Sequence, residues 1–129
     1  MKIAVLGSTG MLGSMVTRVL EADGKFKIMA TYRHEDYIPD FIKESPRIEW
    51  CKLDACGCEI DQLTNILAGV KWVINAIGII KPYIHDDNLI EVKRAIQVNA
   101  LFPHLLAQAA EHAGARVIQI ATDCVFCGQ

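Results

Sequence analysis

Short apolar segments alternate with amphipathic stretches along this chain of 129 residues. Apolar runs of this length, bounded by polar or glycine-containing segments, are typical of β-strands. The later runs are apolar throughout, which indicates strands covered on both faces of a sheet. The predicted strands are residues 2–6, 27–32, 48–53, 72–76 and 116–121.

The stretches between these strands carry the spacing and the end signals of helices. A first helix is predicted over residues 10–22, with Gly24 just past its end and one apolar face formed by Leu12, Val16, Val19 and Leu20. A second helix covers residues 59–67 and is stopped by Gly69.

A long third helix is predicted before the last strand. Asp86 or Asp87 can cap its start, and it runs to about residue 113, where Gly114 follows. Residues 34–45, which prolines interrupt, are predicted to be irregular or to form a short helix.

The alternation of strands and helices predicts an α/β fold with a parallel, doubly wound sheet of the Rossmann type. Its five strands are expected in the spatial order 3-2-1-4-5. The chain length supports hardly more than one domain, and we see no repeat or linker. We therefore expect residues 1–129 to form a single domain.

Composition and charge exclude several classes of partner. Apolar residues make up 52% of the chain and charged residues 22%, with a net charge of −2, so neither nucleic acid nor an anionic membrane is expected as a partner. The apolar N-terminal run is short and leads directly into glycines, unlike a signal peptide. We expect a cytoplasmic protein whose five cysteines are reduced thiols.

A glycine-rich turn follows the first predicted strand and opens the first predicted helix. Its sequence, Gly7-Ser-Thr-Gly10-Met-Leu-Gly13, has the spacing and position of a phosphate-binding turn. Gly7 allows a tight turn, Gly10 lets backbone N–H groups approach a pyrophosphate, and Gly13 lets the helix pack close to the sheet. The helix N-terminus adds partial positive charge for an anion. The alternative is a turn that binds nothing.

The end of the second predicted strand favours NADP over NAD. An NAD site usually places an acidic residue there, against the ribose hydroxyls. This chain has Arg33 and no acid before Glu35, and a guanidinium suits the 2′-phosphate of NADP. The alternatives are NAD as the cofactor and Arg33 as a solvated surface residue. Asp54, directly after the third strand, is predicted either to contact the adenine or to be a cap or turn aspartate.

Further motifs occur in register with the glycine turn: Asn75-Ala-Ile-Gly78, Val98-Asn99-Ala-Leu-Phe-Pro103 and Thr122-Asp-Cys-Val-Phe-Cys-Gly128. With them the chain resembles the N-terminal portion of the extended short-chain dehydrogenase/reductase superfamily. It is most similar to the branch of dTDP-4-dehydrorhamnose reductase-like sugar-nucleotide reductases. The resemblance implies an NAD(P)-dependent reduction or epimerisation, with a nucleotide-linked sugar as the substrate.

The resemblance also implies roles for individual residues. Thr122 would hydrogen-bond the substrate carbonyl, a role that suits a hydroxyl at the C-terminal end of a parallel strand, although Thr122 alone could be an ordinary β-branched strand residue. The cofactor would be held by Gly7, Thr9, Gly10, Met11, Leu12 and Gly13 at the pyrophosphate and by Asn75, Ala76 and Gly78 beside the riboses.

Asn99 is the second predicted catalytic residue. Pro103 lies four residues later and has no N–H, so the Asn99 carbonyl loses its helical partner and the helix is expected to kink. A freed carbonyl facing the site can hold a water, which resembles the proton-relay asparagine of the family. The alternative is a helix start or bend at Pro103 with that carbonyl wetted by solvent.

The chain departs from the family in its catalytic pair. The family's Tyr-x-x-x-Lys, in which the tyrosine acts as general acid and the lysine lowers its pKa, lies after the fifth strand, and no such spacing occurs before the last residue, Gln129. We expect this chain alone not to turn over a sugar nucleotide. The alternatives are a non-catalytic NAD(P)-binding sensor or partner module and a degenerate fragment without ligand.

Apolar side chains on the long helix would face a helix that this chain lacks: Leu89, Ile90, Ile96, Leu101, Leu105 and Leu106. We therefore expect a homo-oligomer formed through the helix at residues 88–113 or through the edge of the fifth strand. The alternative is that the chain end folds back as a cover.

The remaining chemistry-bearing residues predict no metal site. The pairs Cys56–Cys58 and Cys124–Cys127 lack the tetrahedral arrangement of a structural zinc site. Residues 81–85 follow the fourth strand at the ligand edge, where they either touch the nicotinamide or substrate or form a plain loop.

Overall fold

The computed structural model describes residues 1–120, and within that range every side chain except that of Lys81. Five strands form one sheet in the order β3-β2-β1-β4-β5, and every pairing is parallel. This confirms the predicted Rossmann order. The strands are β1 (Lys2–Leu6), β2 (Lys27–Tyr32), β3 (Ile48–Lys52), β4 (Trp72–Asn75) and β5 (Arg116–Gln119).

Helices connect successive strands, as a parallel sheet requires. They are α1 (Met11–Asp23), α2 (Asp40–Lys43), α3 (Ile60–Ile66), α4 (Leu89–Ile96) and α5 (Phe102–Ala113). Short 3₁₀ turns occupy Glu35–Tyr37 and Lys81–Tyr83, and a π-helical turn occupies Gln97–Leu101. Across residues 1–120, no helix has the length and apolar character needed to cross a bilayer.

The core consists of two apolar clusters, one on each face of the sheet. On one face α3 and α5 pack on the sheet, with Leu63, Phe102 and Leu106 fully buried. On the other face Val16 and Leu20 of α1 and the buried Ile42 of α2 pack against the sheet. Burial on both faces explains why the strands read as continuous apolar runs.

The packed face of α1 differs from the predicted one. Leu12 is 46% exposed and Val19 is 64% exposed, whereas Gly13 and Thr17 are buried and Val16 is half-buried. The prediction is confirmed for Val16 and Leu20 and is wrong for Leu12 and Val19, because it ranked positions by hydrophobicity. At its smallest residue, Gly13, the helix packs against the Gly7 carbonyl in the turn after β1, and this close approach selects the buried face.

The start of the long helix also differs from the prediction. The cap is Asn88, whose Oδ1 accepts hydrogen bonds from the N–H groups of Ile90 at 3.1 Å and Glu91 at 3.3 Å. Asp86 and Asp87 precede it in a turn. Asparagine caps a helix as well as aspartate does, so capping preference does not separate Asn88 from the predicted Asp86 and Asp87, and the turn decides where the helix begins.

The long helix is interrupted where Pro103 predicts a break. Instead of one continuous α-helix, a π-helical turn at Gln97–Leu101 separates α4 from α5. The N–H of Phe102 donates to the carbonyl of Gln97, five residues earlier. Such single π turns accommodate a disturbed hydrogen-bond ladder and often occur at functional sites.

Candidate functional site

A cleft of about 540 Å³ opens where β1, β2 and β4 end. This is the edge at which open parallel sheets bind their ligands. The loops after these strands line the cleft, together with residues after β3 and side chains of α4. Seven of the predicted cofactor-binding residues line it: Gly7, Thr9, Gly10, Arg33, Asp54, Ala76 and Gly78.

The glycine turn is held by contacts that exclude a Cβ atom. Gly7 has φ +82°, a backbone conformation that L side chains rarely adopt. A Cβ on Gly13 would lie 2.0 Å from the carbonyl oxygen of Gly7. The N–H of Gly10 donates to that same oxygen at 3.1 Å. The turn and the start of α1 are therefore built around one carbonyl.

Buried hydroxyl groups beneath the turn hold it in place, and the sequence reasoning did not identify them. Thr31 Oγ1 accepts from the N–H of Gly7 at 3.0 Å, and Ser8 Oγ donates to the carbonyl of Val5 at 2.8 Å. Thr17 Oγ1 lies 3.0 Å from Ser8 Oγ and 2.8 Å from the carbonyl of Gly13. Ser8, Thr17 and Thr31 are at most 1% exposed. Small hydroxyl residues on apolar faces near the turn were the available signal.

One end of the cleft carries aromatic and charged groups. The rings of His34 and Tyr37 meet edge to face with centroids 5.9 Å apart, and Arg33 lies beside them in the sequence. Asp54 lines the cleft while its Oδ1 accepts from the N–H of Cys56 at 2.9 Å. Both predicted interpretations of Asp54, a turn residue and a cleft residue, are therefore compatible with its position.

Four predicted cofactor-binding residues do not line the cleft. Met11 is 91% exposed and Leu12 follows it at the start of α1, while Gly13 is packed against Gly7. Asn75 is fully buried, and its Nδ2 donates to Gln119 Oε1 at 2.8 Å. Its Oδ1 accepts from the N–H of Ile77 at 3.2 Å. The Asn75 side chain thus joins β4 to β5 and supports the turn that carries Ala76 and Gly78.

The side chain of Asn99 is tied to the segment after β4. Its Oδ1 accepts from the N–H of Ile79 and its Nδ2 donates to the carbonyl of Ile79, both at 2.8 Å. This paired contact resembles one step of a β-ladder and fixes the backbone next to Gly78. The structure therefore adds a positioning contact at Asn99 that the sequence reasoning did not predict. Thr122, the other predicted catalytic residue, lies outside the described residues.

Side chains of α4 and of the π-helical turn after it also line the cleft, although the sequence reasoning assigned them no role. Glu91, Arg94 and Val98 lie three and seven residues apart and share one helix face. This spacing was the signal that could have identified them. Tyr83, from the segment of residues 81–85, lines the cleft as well, which places that segment at the ligand edge as predicted.

His85 and Glu91 form a pair at the rim. The carboxylate Oε2 of Glu91 lies 2.9 Å from the backbone nitrogen of His85 and 2.8 Å from its Nδ1. Hydrogen bonds from the backbone N–H and then the ring of His85 hold the pKa of the Glu91 carboxyl below its ordinary value. Glu91 is therefore a carboxylate at neutral pH, and its Oε2 is already hydrogen-bonded to His85.

The cysteines of the described part are free thiols: Cys51, Cys56 and Cys58. Burial raises the pKa of the Cys51 and Cys58 thiols, so both are predominantly protonated at neutral pH. Cys56 Sγ lies 2.8 Å from Gln97 Oε1. No group of three potential metal ligands occurs within residues 1–120, and Cys124 and Cys127 lie outside that range.

Comparison with protein families gives one match. The model of the family described as the RmlD substrate binding domain matches residues 1–129. It covers all four motifs on which the resemblance to sugar-nucleotide reductases rests, and it confirms that resemblance at the level of the family. None of the curated proteins compared with the chain matches it in sequence.

Solved structures share the fold at low sequence identity. UDP-glucuronic acid 4-epimerase from Bacillus cereus in complex with NAD is 17% identical with a TM-score of 0.83, and the match covers 100% of this chain and 42% of that one. Uronate dehydrogenase from Agrobacterium tumefaciens, a Y136A mutant complexed with NAD, is 17% identical with a TM-score of 0.71, over 94% of this chain and 40% of that one. The chain thus spans about two fifths of these structures.

Proposed function

Because the chain belongs to the RmlD substrate binding domain family, we propose that it is the NADP(H)-binding Rossmann domain of a sugar-nucleotide reductase of the dTDP-4-dehydrorhamnose reductase-like branch. When bound, the dinucleotide would supply or accept the hydride exchanged with a keto-carbon of the sugar. The observation that carries this proposal is the glycine turn, in which a Gly13 Cβ would strike the Gly7 carbonyl, at the rim of a cleft of about 540 Å³.

The residues fit a dinucleotide in a definite order along the cleft. Gly7, Thr9 and Gly10 would lie against the pyrophosphate, with the unpaired N–H groups of Met11 and Leu12 at the start of α1 contributing donors. Gly13 would act by keeping α1 close to the turn. Ala76 and Gly78, supported by the buried Asn75, would lie beside the riboses.

The remaining assignments concern adenosine and the substrate. Arg33 would bind the 2′-phosphate, and the second carboxylate oxygen of Asp54 would face the adenine. Asn99 would contribute to a proton relay and Thr122 would orient the substrate carbonyl. Relatives of this fold have been solved with a nucleotide-linked sugar, such as MoeE5 in complex with UDP-glucuronic acid and NAD (20% identity, TM-score 0.73, over 92% of this chain and 36% of that one).

The cofactor proposal is tested by calorimetric titration of the chain with NADPH and with NADH. We expect NADPH to bind more tightly because Arg33 provides a guanidinium where an NAD site has an acid. Arg33→Gln should weaken NADPH binding by about 10- to 100-fold and leave NADH binding within about twofold. Arg47→Gln is the matched control, since Arg47 is exposed and directly precedes β3. It therefore lies at the N-terminal ends of the strands, whereas the cleft opens at their C-terminal ends.

Two results would contradict the proposal. Failure of the wild-type chain to bind either dinucleotide would overturn the cofactor site. Equal loss of NADPH and NADH binding in Arg33→Gln would overturn the assignment to NADP while leaving the site itself intact.

The second candidate function is a non-catalytic NAD(P)-binding sensor or partner module. It uses the same dinucleotide site at the glycine turn and requires binding alone. The two candidates differ when the chain is loaded with NADPH and given a nucleotide-linked keto-sugar. Oxidation of NADPH after a second chain supplies a Tyr-x-x-x-Lys pair supports the reductase domain, whereas dinucleotide binding without turnover in that mixture supports the module.

A further inference from the structure

A half-buried arginine on α4 has no partner for its charge. Arg94 lines the main cleft and also an adjoining cavity of about 330 Å³. Asp54 and Lys93 line this second cavity as well. Its Nε is buried and makes no hydrogen bond. Buried polar groups in native proteins nearly always have partners, so an unpartnered guanidinium nitrogen at a ligand cleft indicates a group that binds there.

The acids near Arg94 do not neutralise it. Glu91 and Asp54 line the same cleft, but Glu91 is occupied by His85 and Asp54 accepts from the N–H of Cys56. Among residues 1–120 no carboxylate forms an ion pair with Arg94. The guanidinium is therefore a positively charged group at the cleft without an ion-pair partner, the kind of group that binds an anionic ligand.

We propose that Arg94 binds a phosphate group of the dinucleotide and is a specificity-determining residue of the cleft. This inference rests on the proposed function, since it requires that the cleft hold a dinucleotide. Phosphate is the anionic group of such a ligand, and the planar fork of a guanidinium pairs with phosphate oxygens through two parallel hydrogen bonds. The ligand would then lie between the strand ends on one side and the Arg94 guanidinium of α4 on the other. The glycine turn provides no contact on that second side.

Comparing NADPH with NADH distinguishes the two groups that Arg94 could bind, the 2′-phosphate and the pyrophosphate. If Arg94 binds the 2′-phosphate, Arg94→Gln weakens NADPH binding and leaves NADH binding unchanged. If it binds the pyrophosphate, Arg94→Gln weakens both. In either case we expect a loss of about 10- to 100-fold, the range for a hydrogen bond to a charged group.

The matched control is Lys93→Gln. It makes the same change of charge on the neighbouring residue of α4, and Lys93 lines the adjoining cavity without lining the main cleft. Arg94→Lys keeps the charge but not the fork, and we expect it to retain part of the affinity. Unfolding of the ligand-free proteins is measured in parallel, and Arg94→Gln should be no less stable than the wild type because it removes a guanidinium nitrogen that lacks a partner.

Three results would overturn the assignment of Arg94: unchanged dinucleotide affinity in Arg94→Gln, an equal loss in Lys93→Gln, or an affinity loss accompanied by a matching loss of ligand-free stability. In each of these cases the wild-type chain still binds, and the proposed function stands. If the wild-type chain binds neither dinucleotide, the proposed function and this inference both fail.

Discussion

At the scale of single residues, the glycine turn depends on the absence of a Cβ atom. A carbonyl oxygen of Gly7 occupies the space in which Gly13 would carry its Cβ. The same oxygen accepts from the N–H of Gly10. The position of Gly13 inside α1 therefore serves the contact between helix and turn, against the intrinsic preference of a helix for other residues.

For Gly13→Ala, helix propensity and the contact with the turn predict opposite changes in the free energy of unfolding. Helix propensity alone would stabilise the protein by up to about 1 kcal/mol. We expect instead a destabilisation of at least about 1–3 kcal/mol, because the new methyl group would lie 2.0 Å from a backbone oxygen. The free energy of unfolding is measured by urea titration.

Gly10→Ala is the control for this substitution. Its Cβ would lie 3.4 Å from the same oxygen, and Gly10 already has φ −78° and ψ 170°, which alanine adopts freely. This variant should fold normally and lose affinity for dinucleotide only. A Gly13→Ala protein as stable as the wild type would show that the turn relaxes around the methyl group.

At the scale of elements, the π-helical turn places Asn99 against the segment that follows β4. Pro103 removes an N–H from the helix, and the resulting turn at Gln97–Leu101 carries Asn99. The two hydrogen bonds between Asn99 and Ile79 then join the helix to the cleft wall. The irregularity in the helix thus coincides with a contact that positions the site.

Asn99→Ala should release the segment around Ile79. We expect faster amide hydrogen exchange over residues 77–80 and a loss of roughly 1–3 kcal/mol of stability, the range for two hydrogen bonds. Gln108→Ala is the control, because it removes an exposed amide from α5. Exchange that is unchanged at residues 77–80, or that increases equally throughout the protein, would count against the positioning role.

At the scale of the whole molecule, α4 and the β5 edge both expose large apolar side chains. On α4, Leu89 is 79% exposed and Ile90 is 81% exposed. Within the described residues β5 pairs only with β4, and its Ile118 is 44% exposed. Patches of this kind often mark association surfaces, and an uncovered edge strand can pair with another chain.

We expect the chain to self-associate in solution through α4 or through the β5 edge. Sedimentation velocity over a range of concentrations should show a dimer, and Ile90→Lys or Ile118→Lys should shift it to monomer, which identifies the surface. Val19→Lys is the control, since Val19 is 64% exposed on α1. A wild-type chain that is monomeric at every concentration would contradict this expectation.

The fold could be predicted to a large extent because it follows from periodicity and connection rules. Strand order depends on right-handed crossovers between parallel strands, and the alternation of elements was sufficient to derive it. Predicted strand limits differ from the observed ones by a residue at β3 and β4, and β5 ends at Gln119, before the predicted end at residue 121. Strand ends depend on pairing with neighbours, which no local pattern contains.

The site could be predicted in part. The glycine turn and the residues at strand ends line the cleft as predicted, because their positions follow from local sequence and strand order. Arg94 and the hydroxyl of Thr17 were missed, since their roles depend on which helix face meets the cleft or the turn. The α1 prediction failed at Leu12 and Val19 for the same reason, because hydrophobicity does not report how closely two elements approach.

By itself, the sequence determined the parallel sheet, its order and the glycine turn, all of which follow from local spacing and chain geometry. The tertiary structure alone decided that Asn88 caps α4, that Asn99 binds Ile79 and that Arg94 faces the cleft without a partner. These contacts join residues from separate elements, and their energies depend on distances that arise only when the helices pack on the sheet.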